Sequence, residues 1–249
     1  PFLGDITDVW ILAPKGIKLP KMPNRLNYYT PRHGVVNDLN SVFLLNISGK
    51  SGKYLSVNNL AKIGRKKVKE IKADLEPDYI YPLIKPNNTK RWHIDGYYYM
   101  LLPQKKDGEN NESDLRVKFN KTYSYLCRFK DELLSRKSKW FKGEGKPFYS
   151  IFGIGEYTVK PYKIVWCCMS YKPDFSVVSK VHDKLIGIKE LIPDNTIGNL
   201  SFDSKEEAHF VCSVLNSEKA ELLFSMRSSK SKWGISIDMV KKIPVPQYD

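Results

Sequence analysis

The sequence contains few cysteines and histidines, and this scarcity argues against two classes of small, cross-linked protein. Among its 249 residues there are four of each. The cysteines are Cys127, Cys167, Cys168 and Cys212, and their spacing matches neither a disulfide framework nor a zinc site. We therefore expect reduced thiols, as in a cytoplasmic protein, and no metal held by cysteine or histidine.

Long apolar runs are also missing. The longest, residues 164–169, is far shorter than the roughly 20 residues that a membrane-spanning helix needs. The lysines are scattered rather than grouped on an amphipathic helix, so no membrane surface is expected as a partner either. The chain opens on Pro1 rather than Met. We therefore expect a fragment of a longer protein whose upstream domain is missing.

What the sequence has in excess is positive charge. Lysine and arginine total 41 against 27 aspartates and glutamates, which gives a net charge of +14 and an isoelectric point near 9.4. A field of that sign attracts polyanions and speeds their encounter with the protein. Nucleic acid is accordingly the favoured partner class.

The first half of the chain has the pattern of β-structure. Apolar residues over 41–47 and 53–57, separated by a glycine-containing turn, predict a hairpin. A further strand is expected over 97–102. Between them the pattern allows a short helix over 58–63 or 66–71. These elements predict a β-rich N-terminal lobe with a hairpin.

The second half alternates between helix and strand patterns. Apolar residues recur every three or four positions over 115–133, which predicts one helical face. Residues 162–169 contain a single charged residue and predict a strand in the centre of a sheet. A helix is expected to begin in the capping-box-like stretch 203–206, a second to run through Leu222 and Leu223, and a last short one to cover 236–241. The fold class is α+β (mixed α/β), with helices around a small mixed sheet following the first lobe.

The polar stretch 105–113 is the best candidate for an internal boundary. With 41% apolar residues, the chain has enough material for a sizeable core. We therefore expect either one domain over residues 1–249 or two lobes, 1–108 and 109–249.

Several segments stand in a characteristic order along almost the whole chain: 32–44, 64–68, 75–84, 90–92, 122–126, 129–130, 146–149, 155–158, 161–166, 192–196, 206–216 and 241–246. Together they resemble the C-terminal target-recognition domain of type IIG restriction–modification enzymes and of related adenine-specific DNA methyltransferases. One departure is the pair Cys167 and Cys168 after Trp166, where a basic or polar residue is more usual in that family.

The resemblance implies a division of labour. In such enzymes an upstream domain binds S-adenosylmethionine and methylates adenine after flipping it out of the duplex, whereas the C-terminal region recognises the DNA sequence. This chain lacks the methyltransferase signature Asn/Asp-Pro-Pro-Tyr/Phe. We therefore expect double-stranded DNA and the upstream catalytic domain as partners, and no catalysis or cofactor in this chain. Mg²⁺ would be needed only if the parent enzyme also cleaves DNA.

Candidate DNA contacts are segments that combine cations for phosphates with arginine or asparagine for base edges. The loops favoured most are 227–233 and 139–146, where charges alternate with aromatic or small residues. Trp92 and Trp166 are expected in the core rather than stacked on bases. The predicted DNA-binding residues are Arg32, Asn37, Asn40, Arg65, Lys66, Lys67, Asn88, Lys90, Arg91, Lys139, Lys142, Lys146, Arg227, Lys230, Lys232 and Trp233.

Two other functions fit parts of the sequence. Pro173-Asp174 followed by Asp203 and Lys205 has the formal spacing of a magnesium-dependent nuclease of the PD-(D/E)xK type. Such a loose pattern often arises by chance, and Asp203 also suits a helix N-cap. The second alternative is a protein–protein docking module of the same parent enzyme.

Overall fold

The computed structural model describes residues 27–227 and 234–248, without the side chains of residues 226 and 227. Helices and strands are both abundant and form separate layers, so the predicted α+β class is confirmed. None of the helices in these ranges is long and apolar enough to cross a membrane.

The strands are short and occur along most of the described chain. In chain order they are β1 Arg32–His33, β2 Leu44–Ser51, β3 Tyr54–Asn59, β4 Lys72–Leu75, β5 Ile80–Ile84, β6 Thr89–Lys90, β7 His93–Ile94, β8 Tyr98–Leu101, β9 Tyr162–Cys167, β10 Ser176–Val178, β11 Val181–Asp183, β12 Gly187–Lys189, β13 Ile192–Pro193 and β14 Ile197–Phe202.

Apart from the short helix α1, the helices lie in the middle and towards the end of the chain. They are α1 Asn40–Phe43, α2 Glu112–Lys118, α3 Asn120–Cys127, α4 Lys130–Leu134, α5 Lys205–Leu215, α6 Glu218–Arg227 and α7 Ile237–Lys241, with short 3₁₀ helices at Pro77–Tyr79, Pro86–Asn88, Lys139–Phe141 and Glu156–Val159.

The larger sheet has six strands in the order β13-β5-β8-β2-β3-β4, antiparallel except for the β13–β5 pair. The hairpin predicted around residue 52 is confirmed as β2 and β3. Apolar side chains of this sheet pack against helices α2 to α4 and the segment 149–154 in one core. That core contains residues from both predicted lobes, 1–108 and 109–249. The packing therefore does not separate the chain at residue 108, and the two-lobe division stays a prediction.

The smaller sheet has the order β1-β14-β9-β10 and is antiparallel throughout. Helices α5 to α7 pack against it in a second core, which includes the buried Trp166 and Phe224. Alternate residues of β9 face the opposite side, where Val165 packs with Ile84 and Ile197 in a small third cluster. This third cluster lies between the two sheets and joins them.

The two sheets meet where residues 34–36 pass against residues 192–197. Val35 donates its amide proton to the carbonyl of Pro193, and Gly34 donates to Ile197. Val36 exchanges two backbone hydrogen bonds with Phe152. We call this crossing the sheet junction, and it brings three segments that are distant in sequence side by side.

Two predicted elements of the first half were wrong. Residues 41–43 belong to α1, so the strand begins only at Leu44, and neither 58–63 nor 66–71 is helical. The reason is Asn59, whose buried amide donates to the carbonyls of Ser41 and Lys69 and accepts from the amide of Ile71. These side-chain bonds supply the partners that a helix would otherwise provide.

The helical face predicted over 115–133 is confirmed in its burial but not in its continuity. Leu115, Leu126 and Leu133 are buried as expected, yet the segment is divided into α2, α3 and α4. The first break occurs where the carboxylate of Glu76 accepts hydrogen bonds from the backbone amides of residues 121 and 122. This distant acidic group caps the start of α3 and favours a new helix there.

The start of α5 differs in detail from the prediction. Ser204, not Asp203, is the N-cap, and its hydroxyl accepts from the amide of Glu207. Asp203 instead pairs with Lys160 at 2.6 Å between Nζ and Oδ2. The helix itself and the two helices after it are confirmed.

Gly34 permits the close approach at the sheet junction. A Cβ atom there would lie 2.1 Å from the carbonyl oxygen of Pro193. We expect Gly34→Ala to lower the free energy of unfolding by about 2 kcal/mol, because the two backbones would have to separate. Gly49→Ala is the matched control, since a Cβ at Gly49 meets nothing within 4 Å. Urea denaturation of both variants tests this, and equal midpoints would show that the close approach is not needed.

Candidate nucleic-acid interface

A cleft runs along the sheet junction. It consists of a cavity of about 300 Å³ and a neighbouring one of about 590 Å³ that share Val36 and Asn195 in their walls. We call the two together the junction cleft. The smaller cavity is bordered by residues 36–40, 64–66 and 195–196. The larger is bordered by residues 31–34 and by Asp107, Trp140, Phe152 and Tyr157, among others.

The loop 37–40 forms one wall of the smaller cavity and is held by its own side chains. The side-chain oxygen of Asn37 accepts from the amide of Leu39 at 2.7 Å, and its amide nitrogen donates to Asn40 at 3.0 Å. Asp38 between them has a left-handed backbone (φ 55), which aspartate tolerates better than most residues. The result is a tight turn that places the exposed Asp38 and the half-buried Asn40 at the cavity.

Arg136 connects this turn to the opposite wall. Its buried guanidinium donates to the carbonyls of Leu133, Asn37, Ser150 and Phe148, at 2.7 to 3.0 Å. Burial lowers its pKa to about 10, and the charge of Asp38 acts in the opposite direction. The side chain therefore remains a cation at neutral pH. It ties the 37–40 turn to the segment that carries residues 139–152.

Aromatic side chains line the larger cavity. The ring of Trp140 stacks on Phe152 with centroids 4.8 Å apart and planes at 10°. Arg32 lies with its guanidinium 4.7 Å from the ring centroid of Tyr157. Both pairs border the same space, which therefore combines flat apolar faces with a cation.

Cations that the sequence singled out lie around the cleft. Arg65 and Lys66 line the smaller cavity, and Lys67 is exposed beside them. Lys66 also donates to the hydroxyl of Ser135 at 2.7 Å. Near Trp140, Lys139 and Lys142 are exposed and Lys146 donates to the carbonyl of Trp140.

Five predicted DNA-binding residues border the cleft, and three more flank Trp140, which the larger cavity includes. The five that line the cavities come from two segments separated by more than 20 residues in sequence. Only the sheet and its connections bring those segments together. The five are Arg32, Asn37, Asn40, Arg65 and Lys66, and the three near Trp140 are Lys139, Lys142 and Lys146.

A second group of predicted residues lies in the β6–β7 hairpin, and neither cavity includes it. Asn88 is buried, donates to the carbonyl of Asp95 and accepts from the amide of Lys85. Arg91 donates to the carbonyl of Asn216 at 2.7 Å, and the carbonyl of Lys90 accepts from the hydroxyl of Ser176. The contacts of Lys90 and Arg91 attach the hairpin to β10 and to the end of α5.

Trp166 and Trp92 differ in burial. Trp166 is buried as expected, with its indole donating to the carbonyl of Ile235. Trp92, also expected in the core, is 57% exposed at the end of the β6–β7 hairpin. The remaining predicted residues, Lys230, Lys232 and Trp233, lie outside the described residues, as does the side chain of Arg227.

The residues of the nuclease alternative are far apart. Asp174 precedes the Ser176–Val165 pair, near the Cys167 end of β9, whereas Asp203 follows the Phe202–Tyr162 pair at the other end. At about 3.3 Å per residue the separation is on the order of 15 Å, too large for one magnesium ion. In residues 27–227 and 234–248, no three histidine, cysteine or acidic side chains cluster as metal ligands.

Sequence patterns missed several residues of the cleft. Asn195 borders both cavities, but in sequence it belongs to an ordinary turn before β14. Arg136 lies in a lysine-rich stretch that indicates solvent exposure, yet it is buried. Phe152 belongs to the segment 152–155, which contains two glycines and no residue typical of DNA recognition. Among these residues, only the glycine at 153 could have been noticed in the sequence, because glycine is typical of positive φ angles and close backbone contacts. Its φ is 83, and a Cβ atom there would lie 3.1 Å from the carbonyl oxygen of Gly34.

Replacing Arg136 tests whether it holds the two walls together. Arg136→Met would leave buried carbonyls without donors, so we expect the free energy of unfolding to fall by about 3 kcal/mol. Arg128→Met removes the same group from an exposed position nearby and is expected to change stability by about 0.5 kcal/mol or less. Hydrogen exchange should increase most in residues 37–40 and 137–150 of Arg136→Met. Unchanged exchange there would contradict the bridging role.

Comparison with known proteins gives one informative relationship. Over 154 residues the chain is 34% identical to the type II methyltransferase M.NspV of Nostoc sp. (strain ATCC 29411 / PCC 7524). The match covers 61% of this chain and 30% of that methyltransferase, so the chain spans less than a third of the relative's length. No family model matches. The chain is thus related to part of a type II methyltransferase, in agreement with the restriction–modification context expected from its sequence.

Proposed function

We propose that this chain is the DNA target-recognition region of an adenine-specific methyltransferase and that it binds double-stranded DNA at the junction cleft. The observation that carries the proposal is the convergence of base-reading and phosphate-binding side chains on one cleft. Asn40, Asn195 and Arg65 border the smaller cavity, and asparagine and arginine are the residues that recognise adenine and guanine edges through paired hydrogen bonds. The similarity to a type II methyltransferase supports DNA as the ligand.

The charges of the cleft support recognition of bases rather than of phosphates alone. Asp38 and Asp107 border its two cavities beside Arg65 and Arg32. Carboxylates repel phosphates but accept hydrogen bonds from the amino group of cytosine. The lysines at positions 67, 139 and 142 are exposed near these walls and supply the counter-charge that the DNA backbone needs.

The catalytic work would belong to a domain upstream of this chain. That domain would bind S-adenosylmethionine and transfer the methyl group, and Mg²⁺ would be required only if the parent also cleaves. This chain would position the target base for that domain. Its large positive charge would then accelerate association with DNA and hold the enzyme in register.

Salt dependence of binding tests the phosphate contacts. We expect the chain to bind a labelled random-sequence duplex with micromolar affinity that falls steeply as salt rises. Lys66→Ala combined with Lys67→Ala should weaken binding to every sequence alike and reduce the slope of log K against log salt by about 1 to 2. Fluorescence anisotropy between low and physiological salt measures both.

A control with the same loss of charge makes this result specific. Lys50 and Lys53 are exposed beside the turn of the β2–β3 hairpin, roughly 20 Å along β2 from α1 and the cleft. Lys50→Ala with Lys53→Ala should leave the slope nearly unchanged. Equal slopes for both double variants would mean that net charge alone attracts DNA. Absence of DNA binding, together with binding to the upstream domain that survives high salt, would favour the protein–protein docking alternative.

Asn195 tests base recognition separately. Asn195→Ala should alter which sequences are selected from a random duplex pool, because loss of one paired hydrogen bond reduces discrimination by about 1–3 kcal/mol at that base pair. Its affinity for random-sequence DNA and its salt slope should stay the same. Selection and sequencing with both proteins provides the comparison. Identical selected sites would remove Asn195 from the recognition surface.

A further inference from the structure

We propose that the larger cavity of the junction cleft is a stacking site for one unpaired nucleobase, so that the chain prefers locally opened DNA to a fully paired duplex. The proposal rests on the proposed function to the extent that both have DNA as the ligand. It adds a distinct ligand state, an extrahelical base, and a distinct residue, Trp140.

The first argument is the fixed orientation of Trp140. Trp140 is 42% exposed, and its ring stacks almost parallel on Phe152, with planes at 10°. The backbone on both sides is held: the amide of Trp140 donates to the Ser138 hydroxyl, and its carbonyl accepts from Lys146. Phe141, next in sequence, is buried. The indole is therefore a pre-oriented platform, and little conformational entropy is lost when a ligand stacks on it.

The second argument is the size and composition of the space beside this platform. At about 590 Å³ it lies within the range of roughly 300–1,000 Å³ that is typical of small-molecule sites, and so it is large enough for one nucleobase. Arg32 and Tyr157 form a second flat pair on its border. Asp107 and Asn195 also border it, and they offer an acceptor and an amide to the polar edge of a ring. Flat faces with edge partners of both kinds match a nucleobase.

The third argument is the surrounding charge, which distinguishes a base attached to a nucleic-acid strand from a free aromatic molecule. Lys139 and Lys142 are exposed within two residues of Trp140. A strand that delivers one base to the platform carries its phosphates past these side chains. Proteins that bind unpaired strands commonly combine such cations with aromatic stacking platforms.

Three DNA ligands of equal length test the proposal: a matched duplex, the same duplex with one extra unpaired 2-aminopurine, and a single strand that contains 2-aminopurine. We expect the duplex with the unpaired base to bind about tenfold more tightly than the matched duplex. Stacking on the indole should also quench 2-aminopurine fluorescence. Anisotropy gives the affinities, and a 2-aminopurine titration reports the stacking.

Variants assign the effect to Trp140. Trp140→Ala should abolish the quenching and the preference, so that its affinities for the opened and the matched duplex become equal. Trp140→Phe should retain part of both, because a smaller ring still stacks. Trp92→Ala is the matched control, since Trp92 is a similarly exposed indole on the β6–β7 hairpin, and it should behave like the original chain.

The outcomes separate this proposal from the function on which it rests. Equal affinity for the matched and the opened duplex, or a preference that survives Trp140→Ala, would overturn the stacking site while leaving duplex recognition intact. Failure to bind any of the three DNA ligands would overturn DNA recognition itself. A Trp140→Ala chain with an unchanged melting temperature ensures that a lost preference is not a folding defect.

Discussion

The structure depends on the close contact at the sheet junction, where Gly34 and Val35 pass directly against Pro193 and Asp194. The contact is secured by Asp194, which is 4% exposed at its side chain and pairs with Lys85 at 2.8 Å. The other oxygen of Asp194 accepts from the amide and the hydroxyl of Thr196. A buried carboxylate is tolerated only when its acceptor sites are filled in this way. The arrangement anchors one strand of each sheet, so the geometry of the cleft follows from a few backbone contacts rather than from its own lining.

Arg136 extends that order from the junction to the loops around it. Its partners are all carbonyl oxygens, so its charge is spread over four dipoles rather than neutralised by one carboxylate. The guanidinium uses four of its five N–H donors in these bonds and keeps its positive charge below the 37–40 turn. The strained backbone of Asp38 lies beside this cation. Strain of this kind persists only where neighbouring contacts determine the conformation, as is common in binding sites.

The sequence predicted those features that depend on neighbouring residues. The β2–β3 hairpin, strand β9 and helices α5 to α7 follow from local periodicity and turn residues, and the structure confirms them. It could not predict features created by distant partners. The cap that Glu76 provides for α3 spans 45 residues, and the bonds of Asn59 that exclude a helix depend on where Ser41 and Lys69 lie. Periodicity contains no information about either.

The same distinction applies to the candidate site. Arg65 and Lys66 were identifiable because a short basic run at a turn is exposed in most folds. Asn88 and Arg91 had the same local appearance, but their donors are used inside the protein, on Asp95 and Asn216. Residue type and spacing describe what a side chain is able to bind. Whether its hydrogen-bonding groups are still available depends on tertiary contacts that the local pattern does not contain.

Under the proposed function, contacts to phosphates and contacts to bases place different demands on the structure. Exposed lysines interact with phosphates over a Debye length of about 8 Å and tolerate changes in position, so their loops need little support. Hydrogen bonds to base edges require placement within a few tenths of an ångström, and the groups suited to them lie on the turn held by Asn37 and Arg136 and on the turn held by Asp194. Rigid support is thus concentrated at the turns that would recognise the DNA sequence, whereas the exposed lysines would supply most of the affinity. Under this arrangement, specificity is lost before affinity when the junction is weakened.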